Sequence, residues 1–451
     1  MGGYLLYNCI AVTGESCFPG TVAIEGERIA GVWKEGDPGI SEYRASHPGI
    51  VTVDLGSMVL MAGGIDAHVH FREPGMEEKA DMASESMAAL LGGVTSFMDM
   101  PNTNPPTTTA SALEDKLARA SATSRCNYGF HIGATDSNVQ EIKNFSRRFA
   151  GIKVFMGSST GNMLVDRQET LEDIFSVKDI PILVHSEDEG TIKANLAAAK
   201  ERFGEDIPFS FHPRIRSREA CVRSTARALE LAARHGTRLH LLHISTAEEV
   251  EMISEAKKDN PYITAETSPN YLWFCDEDYP AMKGRIKCNP SVKTASDREA
   301  LRQAVREGII DTIGTDHAPH LAAEKDRPYL TCPSGLPSIA ECLSVLTTVF
   351  DKEEDLPLIA RIFSENAARI FRIKDRGIIK AGNYADLAVL DPAEEFTVRN
   401  TDVTYKCGWS PYEGVTLKGR VKMTFLGGRL AARDGCPIPG PAPHPLEFAR
   451  F

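Results

Sequence analysis

The stretch GGIDAHVHFREPG (residues 63–75) ends an apolar run and places polar side chains at alternate positions. Residues two apart in a strand point to the same face, so Asp66, His68 and His70 would share one face. Arg72 follows in the same register. Two imidazoles spaced in this way can bind one metal ion, but a pair of strand histidines also occurs by chance. The rest of the chain has to decide between these interpretations.

Seven further apolar runs follow, and most of them are separated by amphipathic segments. The eight runs are VLMAGGIDAHVH (59–70), GVTSFMDMPN (93–102), NYGFHIGAT (127–135), GIKVFMG (151–157), PILVHSE (181–187), RLHLLHIS (238–245), YITAETSP (262–269) and DTIGTDHAPH (311–320). Near-continuous apolar strands that alternate with helices predict parallel βα units. Eight such units over roughly 260 residues predict a closed (β/α)8 TIM barrel rather than an open doubly wound sheet.

The two ends of the chain have a different pattern, made of short strands and turns. TVAIEGERIAGVW (21–33) predicts two strands joined at Glu25-Gly26-Glu27, and residues 377–451 contain similar short strand patterns before a proline-rich tail. Each end is too short to form a stable sheet alone. We therefore expect residues 1–57 and 377–451 to form one small β-sandwich domain beside a barrel at residues 58–376.

Composition excludes several classes of protein. The chain has 451 residues, 25% of them charged, and a net charge of −12, which is ordinary for a soluble protein and disfavours nucleic acid or an anionic membrane as partner. No apolar run is long enough to span a membrane, and no signal peptide pattern precedes the first strand, so we expect a cytoplasmic enzyme. The ten scattered cysteines include no C-x-x-C pair, which favours reduced thiols. The sequence does not distinguish a monomer from a homo-oligomer.

Three later runs end in further metal-ligand residues. His185 ends the fifth run, His243 the sixth, and Asp316 lies at the end of the eighth. Catalytic groups of barrels collect at the carboxyl ends of the strands. These residues therefore make a metal centre the favoured interpretation of His68 and His70. Histidine and oxygen ligands without thiolate suit zinc, with manganese or cobalt as alternatives.

Lys153 lies in the apolar run GIKVFMG, where a strand should be buried. An unpaired buried ammonium costs several kcal/mol, so the side chain needs an explanation. Either Lys153 pairs with a carboxylate, or its amine has reacted with carbon dioxide to form a carbamate that can bridge two cations. In the second case one metal would be held by His68, His70 and Asp316, and the other by His185 and His243.

Several motifs resemble those of the amidohydrolase superfamily. These are G-x-D-x-H-x-H after an apolar strand, the strand lysine, the two later strand-end histidines and the TDH strand. Within the superfamily, HVHFREPG (68–75), MDMPNTNP (98–105), KCNPSVK (287–293) and GTDHAPH (314–320) are most similar to dihydroorotases among the cyclic-amide hydrolases. GIIKAGNYADLAVLD (377–391) resembles the C-terminal sandwich signature, so the resemblance covers nearly the whole chain.

The resemblance implies reversible, zinc-dependent hydrolysis of dihydroorotate to N-carbamoyl-L-aspartate, a step of pyrimidine biosynthesis. It implies two zinc ions per chain, bridged by carboxylated Lys153, and makes Asp316 the catalytic proton carrier. The implied substrate-binding residues are Arg72, Asn102 and His320 for the carboxylate and Asn289 for the ring. The chain departs from many dihydroorotases at Asn270, where they have a histidine.

Two other functions fit parts of the pattern. One is a cyclic-amide hydrolase of the hydantoinase or allantoinase type, whose uncharged substrates do not need a carboxylate clamp. The other is a non-catalytic scaffold, which would be expected to have lost metal ligands. The small-residue loop SSTGNM (158–163) could close over a substrate, although an ordinary βα loop is the simpler interpretation.

The remaining polar residues suggest supporting roles. We expect Asp66 to orient a metal-binding imidazole. Structural roles are expected for His131, His240 and His317, and loop or surface positions for His47, His212, His235 and His444.

Overall fold

The protein is described by a computed structural model that covers residues 3–145, 148–157, 163–165, 167–440 and 442–449. The strands are β1 (Tyr4–Val12), β2 (Cys17–Glu25), β3 (Arg28–Lys34), β4 (Val51–Asp54), β5 (Val59–Ala62), β6 (Gly64–Val69), β7 (Val94–Asp99), β8 (Asn127–Phe130), β9 (Ile132–Gly133), β10 (Ile152–Phe155), β11 (Ile182–His185), β12 (Leu239–Leu241), β13 (Thr264–Thr267), β14 (Thr312–Ile313), β15 (Leu387–Thr397), β16 (Thr416–Leu426), β17 (Arg429–Arg433) and β18 (Cys436–Pro437).

The α-helices are α1 (Pro38–Ser46), α2 (Met82–Leu91), α3 (Ala110–Thr123), α4 (Val139–Asn144), α5 (Gln168–Phe175), α6 (Glu189–Phe203), α7 (His212–Ile215), α8 (Arg218–His235), α9 (Ala247–Asp259), α10 (Pro269–Trp273), α11 (Tyr279–Met282), α12 (Ala295–Arg306), α13 (Ala322–Lys325), α14 (Cys342–Val349), α15 (Leu356–Ala360) and α16 (Asn366–Phe371). Short 3₁₀ turns lie at Phe209–Phe211, Asp276–Asp278, Lys283–Ile286 and Glu353–Asp355, and a π-helical turn at Arg361–Glu365. Among the described helices, none has the length and apolar character needed to cross a membrane.

The central strands form the predicted (β/α)8 barrel. Strands β6, β7 and β8 pair in parallel, and so do β9 to β14 in chain order. Only His131 separates β8 from β9, so these two strands form the third stave of the barrel. The barrel closes where Val69, the last residue of β6, forms a parallel bridge with His317, which lies beyond the end of β14. This closure brings the carboxyl ends of the first and eighth staves side by side.

The helices around the barrel follow their sequence signals, as α8 illustrates. Ser217 caps its amino end by accepting a hydrogen bond from the backbone N–H of Ala220. Gly236 ends it in the left-handed conformation, which a residue without a Cβ adopts at little cost. The buried positions of the helix recur every three or four residues, from Ala220 to Ala232, and form the stripe that packs on the barrel.

Both ends of the chain contribute to one nine-stranded sheet, which forms the predicted β-sandwich. Its order is β18-β17-β16-β15-β5-β1-β2-β3, with β4 also paired to β1. N-terminal and C-terminal segments meet through β5, which pairs in parallel with β1 and antiparallel with β15. The sandwich has its own core, in which Leu6, Val22, Leu60, Leu387 and Phe425 are buried together.

The first predicted apolar run, residues 59–70, divides between the two sheets. Val59–Ala62 lies in the terminal sheet as β5, whereas Gly64–Val69 is the first barrel strand. Gly63 lies between them and has no room for a side chain, because a Cβ there would be 2.3 Å from the Thr95 side chain. We therefore propose that the boundary between sandwich and barrel lies at Gly63, rather than at residue 58.

Candidate metal centre and substrate cavity

Eight of the predicted site residues line one cavity of about 390 Å³ at the carboxyl ends of the barrel strands. They are His68, His70, Arg72, Lys153, His185, His243, Asn289 and Asp316. The other two, Asn102 and His320, lie next to it, bound to His70 and Arg72 respectively. The barrel thus brings Arg72 and His320, which are 248 positions apart in the chain, into contact.

The first group of metal-ligand atoms belongs to His68, His70 and Asp316. Their donor atoms all lie within 4.8 Å of one another. Asp316 Oδ1 is 3.3 Å from His68 Nε2 and 3.1 Å from His70 Nε2. Burial would raise the pKa of Asp316, but the two imidazoles and Lys153 outweigh it and lower that pKa. Two imidazole nitrogens and a carboxylate oxygen that converge in this way suit a divalent metal such as zinc.

The second group belongs to His185 and His243, on the fifth and sixth staves. His185 Nδ1 lies 2.9 Å from His243 Nε2, so the two ring nitrogens face the same point. The ring of His243 lies 5.4 Å from that of His68, which places the two groups side by side in one cavity. His243 and Asp316 both have positive φ angles, 41° and 48°. A non-glycine residue in this conformation is strained, and such strain concentrates at functional sites.

Lys153 is buried where the sequence places it, on β10 at the wall of the same cavity. Its side chain is 1% exposed. Among the described residues no carboxylate lies within 4.0 Å of its Nζ atom, so the explanation of Lys153 as half of a direct ion pair fails there. Burial lowers the pKa of Lys153 to about 7, although Asp316 and Glu266 act in the opposite direction.

Three of the four histidines have a second polar side chain beside the nitrogen that faces away from the cluster. His68 Nδ1 is 2.5 Å from Glu266 Oε1, and His70 Nδ1 is 2.8 Å from Asn102 Oδ1. His185 Nε2 is 3.0 Å from Glu187 Oε2, which also pairs with Arg216. Such outer contacts fix the tautomer and the orientation of a metal-binding imidazole.

Sequence reasoning missed the roles of Glu266 and Glu187. Glu266 lies on β13 in YITAETSP and is fully buried, as is Glu187. A carboxylate inside an apolar strand was the available signal, because a carboxylate is rarely buried without a partner. Asp66, in contrast, does not contact an imidazole nitrogen. Its carboxylate accepts hydrogen bonds from the backbone N–H groups of His68 and Thr315 and from the Thr315 hydroxyl.

Arg72, which the family resemblance assigns to the substrate, is a cation that lines the same cavity. It is 2% exposed, and it donates through Nε to the Pro319 carbonyl, 3.0 Å away. Its Nη2 atom is 3.1 Å from His320 Nε2. Burial lowers the pKa of Arg72 to about 10, partly opposed by Asp316. Among the described residues, no carboxylate lies within 4.0 Å of its guanidinium.

The remaining histidines have structural contacts. His131 Nε2 binds the Ala67 carbonyl, and His317 Nε2 binds Glu85, as expected for core residues. His240 contacts Thr264 and, at 3.4 Å, Glu266. The surface position predicted for His212 is wrong: this residue is 1% exposed and binds the Tyr329 hydroxyl and the Cys288 carbonyl. It precedes the basic run PRIRSREA (213–220), which suggested a solvated loop, but its ring is packed inward.

Two further predictions concern Asn270 and the loop SSTGNM. Asn270 accepts a hydrogen bond from the Tyr412 hydroxyl at 3.0 Å and is buried, so it takes part in packing against the C-terminal segment. In the loop SSTGNM, residues 158–162 lie outside the described residues, and with them Thr160.

A (β/α)8 barrel that carries histidine and aspartate ligands to one cavity is typical of metal-dependent hydrolases. The sequence model of the amidohydrolase family matches residues 59–431. A dihydroorotase of Methanosarcina acetivorans is 33% identical over 413 residues, which is 88% of this chain and 85% of that protein. An allantoinase of Streptomyces avermitilis is 31% identical over 431 residues, 94% of each chain. The chain therefore belongs to the amidohydrolase family.

Solved structures agree with this fold. The L-hydantoinase of Arthrobacter aurescens superposes with a TM-score of 0.89, at 24% identity, over 96% of this chain and 97% of that one. Relatives with three different names are thus similar to this chain, and the site has to distinguish among them.

Substitution of Glu266 tests whether the buried carboxylate supports a metal ligand. We expect Glu266→Gln to weaken zinc binding about 10- to 100-fold, because the amide no longer holds the His68 ring in the tautomer that leaves Nε2 available. The measurement is a zinc titration against a competing chelator. Glu341→Gln is the control, since Glu341 is also a buried carboxylate but binds Tyr405. Equal zinc affinity in Glu266→Gln and the wild type would contradict the assignment.

Proposed function

We propose that the protein is a dihydroorotase, which hydrolyses the ring amide of dihydroorotate to N-carbamoyl-L-aspartate and closes the ring in the reverse direction, as pyrimidine biosynthesis requires. The observation that carries this proposal is the buried guanidinium of Arg72 at the cavity, with no carboxylate in reach among the described residues. A buried charge without a counter-ion is costly, so its retention at a cavity favours an anionic ligand.

The carboxylate of dihydroorotate would provide that counter-ion. A guanidinium binds a carboxylate in a planar, two-pronged geometry that a neutral ring does not offer. His320 Nε2 lies 3.1 Å from Arg72 Nη2, and burial together with the charge of Arg72 lowers the pKa of His320, so its ring is neutral beside the guanidinium. Asn102 binds His70 through its Oδ1 atom, which directs its amide NH₂ group away from His70. We assign these three residues to the carboxylate.

Asn289 is the residue assigned to the ring. Its Oδ1 atom is buried at the cavity wall and has no hydrogen-bond partner among the described residues. A buried carbonyl oxygen without a donor costs free energy, and the N–H group of a cyclic amide would satisfy it. Asn289 therefore supports a ring amide as the substrate, whereas Arg72 supports the charge on that ring.

The donor atoms described above fit two divalent metal ions, which we assign as zinc. His68, His70 and Asp316 would hold one ion, His185 and His243 the other, and Lys153 would bridge them as a carbamate. When bound, the pair supplies a water molecule of lowered pKa and polarises the ring carbonyl. Asp316, whose Oδ1 atom faces both His68 and His70, would accept the proton of the attacking water and deliver it to the leaving ring nitrogen.

The environment of Lys153 favours its carboxylation. Its pKa of about 7 leaves a substantial fraction of neutral amine at slightly alkaline pH, and only the neutral amine can add carbon dioxide. In that step the nitrogen forms a bond to the carbon of carbon dioxide and loses one proton, which gives a carbamate anion. The anion would lie among four imidazoles and two metal ions, where a negative charge is stabilised.

An uncharged cyclic amide is the second candidate substrate, because a relative named allantoinase is 31% identical to this chain, against 33% for one named dihydroorotase, and an L-hydantoinase shares the fold. A non-catalytic scaffold is the third candidate. The grouping of the predicted metal-ligand residues around one cavity speaks against that third candidate.

Arg72→Met separates the first two candidates. We expect the zinc-loaded wild type to hydrolyse dihydroorotate and to turn over hydantoin, dihydrouracil and allantoin far more slowly. Arg72→Met should lose at least about 100-fold in kcat/KM for dihydroorotate, because two charge-assisted hydrogen bonds are removed. His320→Ala should lose activity in the same direction.

The uncharged rings are the internal control for this experiment, because Arg72→Met should leave the residual rate on them unchanged. Turnover of uncharged rings alone by the wild type would overturn the proposed substrate.

Lys153→Ala tests the carbamate bridge. We expect the variant to retain metal in the group of His68, His70 and Asp316 but to lose the second ion, because the bridging anion is gone. Metal content per chain, measured after purification in the presence of zinc and bicarbonate, should fall from two to one. Full metal content in Lys153→Ala would contradict the bridge.

Addition of a short carboxylic acid to Lys153→Ala provides a second test of the bridge. If the bridge assignment is right, acetate or propionate should restore part of the lost zinc, since a carboxylate replaces the carbamate.

A further inference from the structure

Two buried lysines lie beneath the wall of the cavity, outside the metal centre. Lys325, at the end of α13, is 1% exposed, and Lys287, before the Asn289 segment, is 8% exposed. Neither has a carboxylate within 4.0 Å among the described residues. Buried ammonium groups without counter-ions are rare, and both of these bind backbone carbonyls instead.

Lys325 uses all of its donors on three carbonyl oxygens. Its Nζ atom donates to the Lys287 carbonyl at 3.0 Å, to Pro333 at 2.8 Å and to Gly335 at 2.8 Å. An ammonium has three N–H donors and no acceptor, so three convergent carbonyls satisfy it fully. The charge makes each of these hydrogen bonds stronger than one between neutral groups.

The three acceptors belong to the two segments that form one side of the cavity. One is the segment from Lys287 to Asn289, and the other is Pro333–Gly335, of which Ser334 and Gly335 line the cavity. The Gly335 N–H group also donates to the Lys287 carbonyl, at 2.9 Å. Ser334 in turn contacts His320 Nε2 through its carbonyl, at 3.1 Å. Lys325 is therefore bonded to both segments that form this side of the cavity.

The cavity wall leaves little room for displacement of the backbone at Gly335. Its φ angle is 136°, which residues with a side chain rarely adopt, and a Cβ there would lie 2.5 Å from the Ala318 carbonyl oxygen. The backbone of Gly335 is thus pressed between Ala318 and the cavity. A shift of a few tenths of an ångström at this residue would change the space available to a ring.

We infer that Lys325 is a positioning residue, whose ammonium holds the Asn289 segment and the Ser334–Gly335 segment at a fixed separation and so sets the affinity of the cavity for its cyclic substrate. The inference rests on the proposed function for the identity of that substrate. It does not require Lys325 to touch substrate or metal, since its Nζ atom is occupied by the three carbonyls.

The test is Lys325→Met in the zinc-loaded full chain. We expect KM for dihydroorotate to rise about tenfold or more while kcat changes less than about threefold, because ring placement is loosened and the metal ligands are untouched. Amide hydrogen exchange at Gly335 should accelerate, because its acceptor segment is no longer held. Zinc content should stay at the wild-type value. Lys325→Arg, which keeps the charge, should recover part of the affinity.

Lys293→Met is the matched control. Its ammonium is also buried, with no carboxylate within 4.0 Å among the described residues, and it donates to the carbonyl and the hydroxyl of Ser291, each at 2.9 Å, but neither Lys293 nor Ser291 lines the cavity. The control should change KM less than about threefold. Equal rises in KM in both variants would show that any buried lysine in this region has the same effect, and the inference would be wrong. An unchanged KM and unchanged Gly335 exchange in Lys325→Met would also overturn it.

Two experimental outcomes require a different comparison to test the role of Lys325. If Lys325→Met does not fold, Lys325→Gln is measured in its place, and the same comparison with Lys293→Met decides. If the wild type does not hydrolyse dihydroorotate, the proposed function fails, whereas the exchange at Gly335 and the KM for the cyclic amide that the wild type does hydrolyse still decide the role of Lys325.

Discussion

The joint between the first and eighth barrel strands is the interaction on which the site depends. The buried carboxylate of Asp66 accepts hydrogen bonds from both strands, through the backbone of His68 and through the backbone and hydroxyl of Thr315. Beyond this point the His70 N–H group donates to the His317 carbonyl at 2.8 Å. Because Asp316 lies between Thr315 and His317, this joint places its carboxylate against His68 and His70. Without closure, ligands 246 and 248 residues apart in sequence would not meet.

The sequence predicted those parts of the molecule that follow from short-range periodicity. Alternation in GGIDAHVHFREPG was enough to place His68 and His70 on one face, and the eight apolar runs were enough to predict a barrel. The position of Lys153 in an apolar run predicted its burial, which the structure has. The resemblance to a family added the roles of Arg72 and Asn289, since nothing in their local sequence distinguishes them from ordinary loop residues.

Contacts between distant segments were not predictable in the same way. Glu266 reaches His68 across 198 residues, and a single glutamate in a strand pattern does not reveal its partner. His212 precedes a basic run that suggests a loop, yet its ring is buried against Tyr329, 117 residues later. The run at residues 59–70 looked like one strand because both of its halves are buried, and only the pairing of β5 with β1 and β15 assigns the first half to the other sheet. Burial by a remote segment leaves little trace in local sequence.

We propose that the buried charge of Arg72 exists for the carboxylate of a cyclic substrate. The most direct test is a crystal structure of the zinc-loaded protein with dihydroorotate or N-carbamoyl-L-aspartate bound. We expect the ring carboxylate within hydrogen-bond distance of the Arg72 guanidinium, with Asn102 and His320 beside it and the ring amide facing Asn289. A ligand bound at the metal centre with that carboxylate directed to solvent, and Arg72 left without an anionic partner, would contradict it.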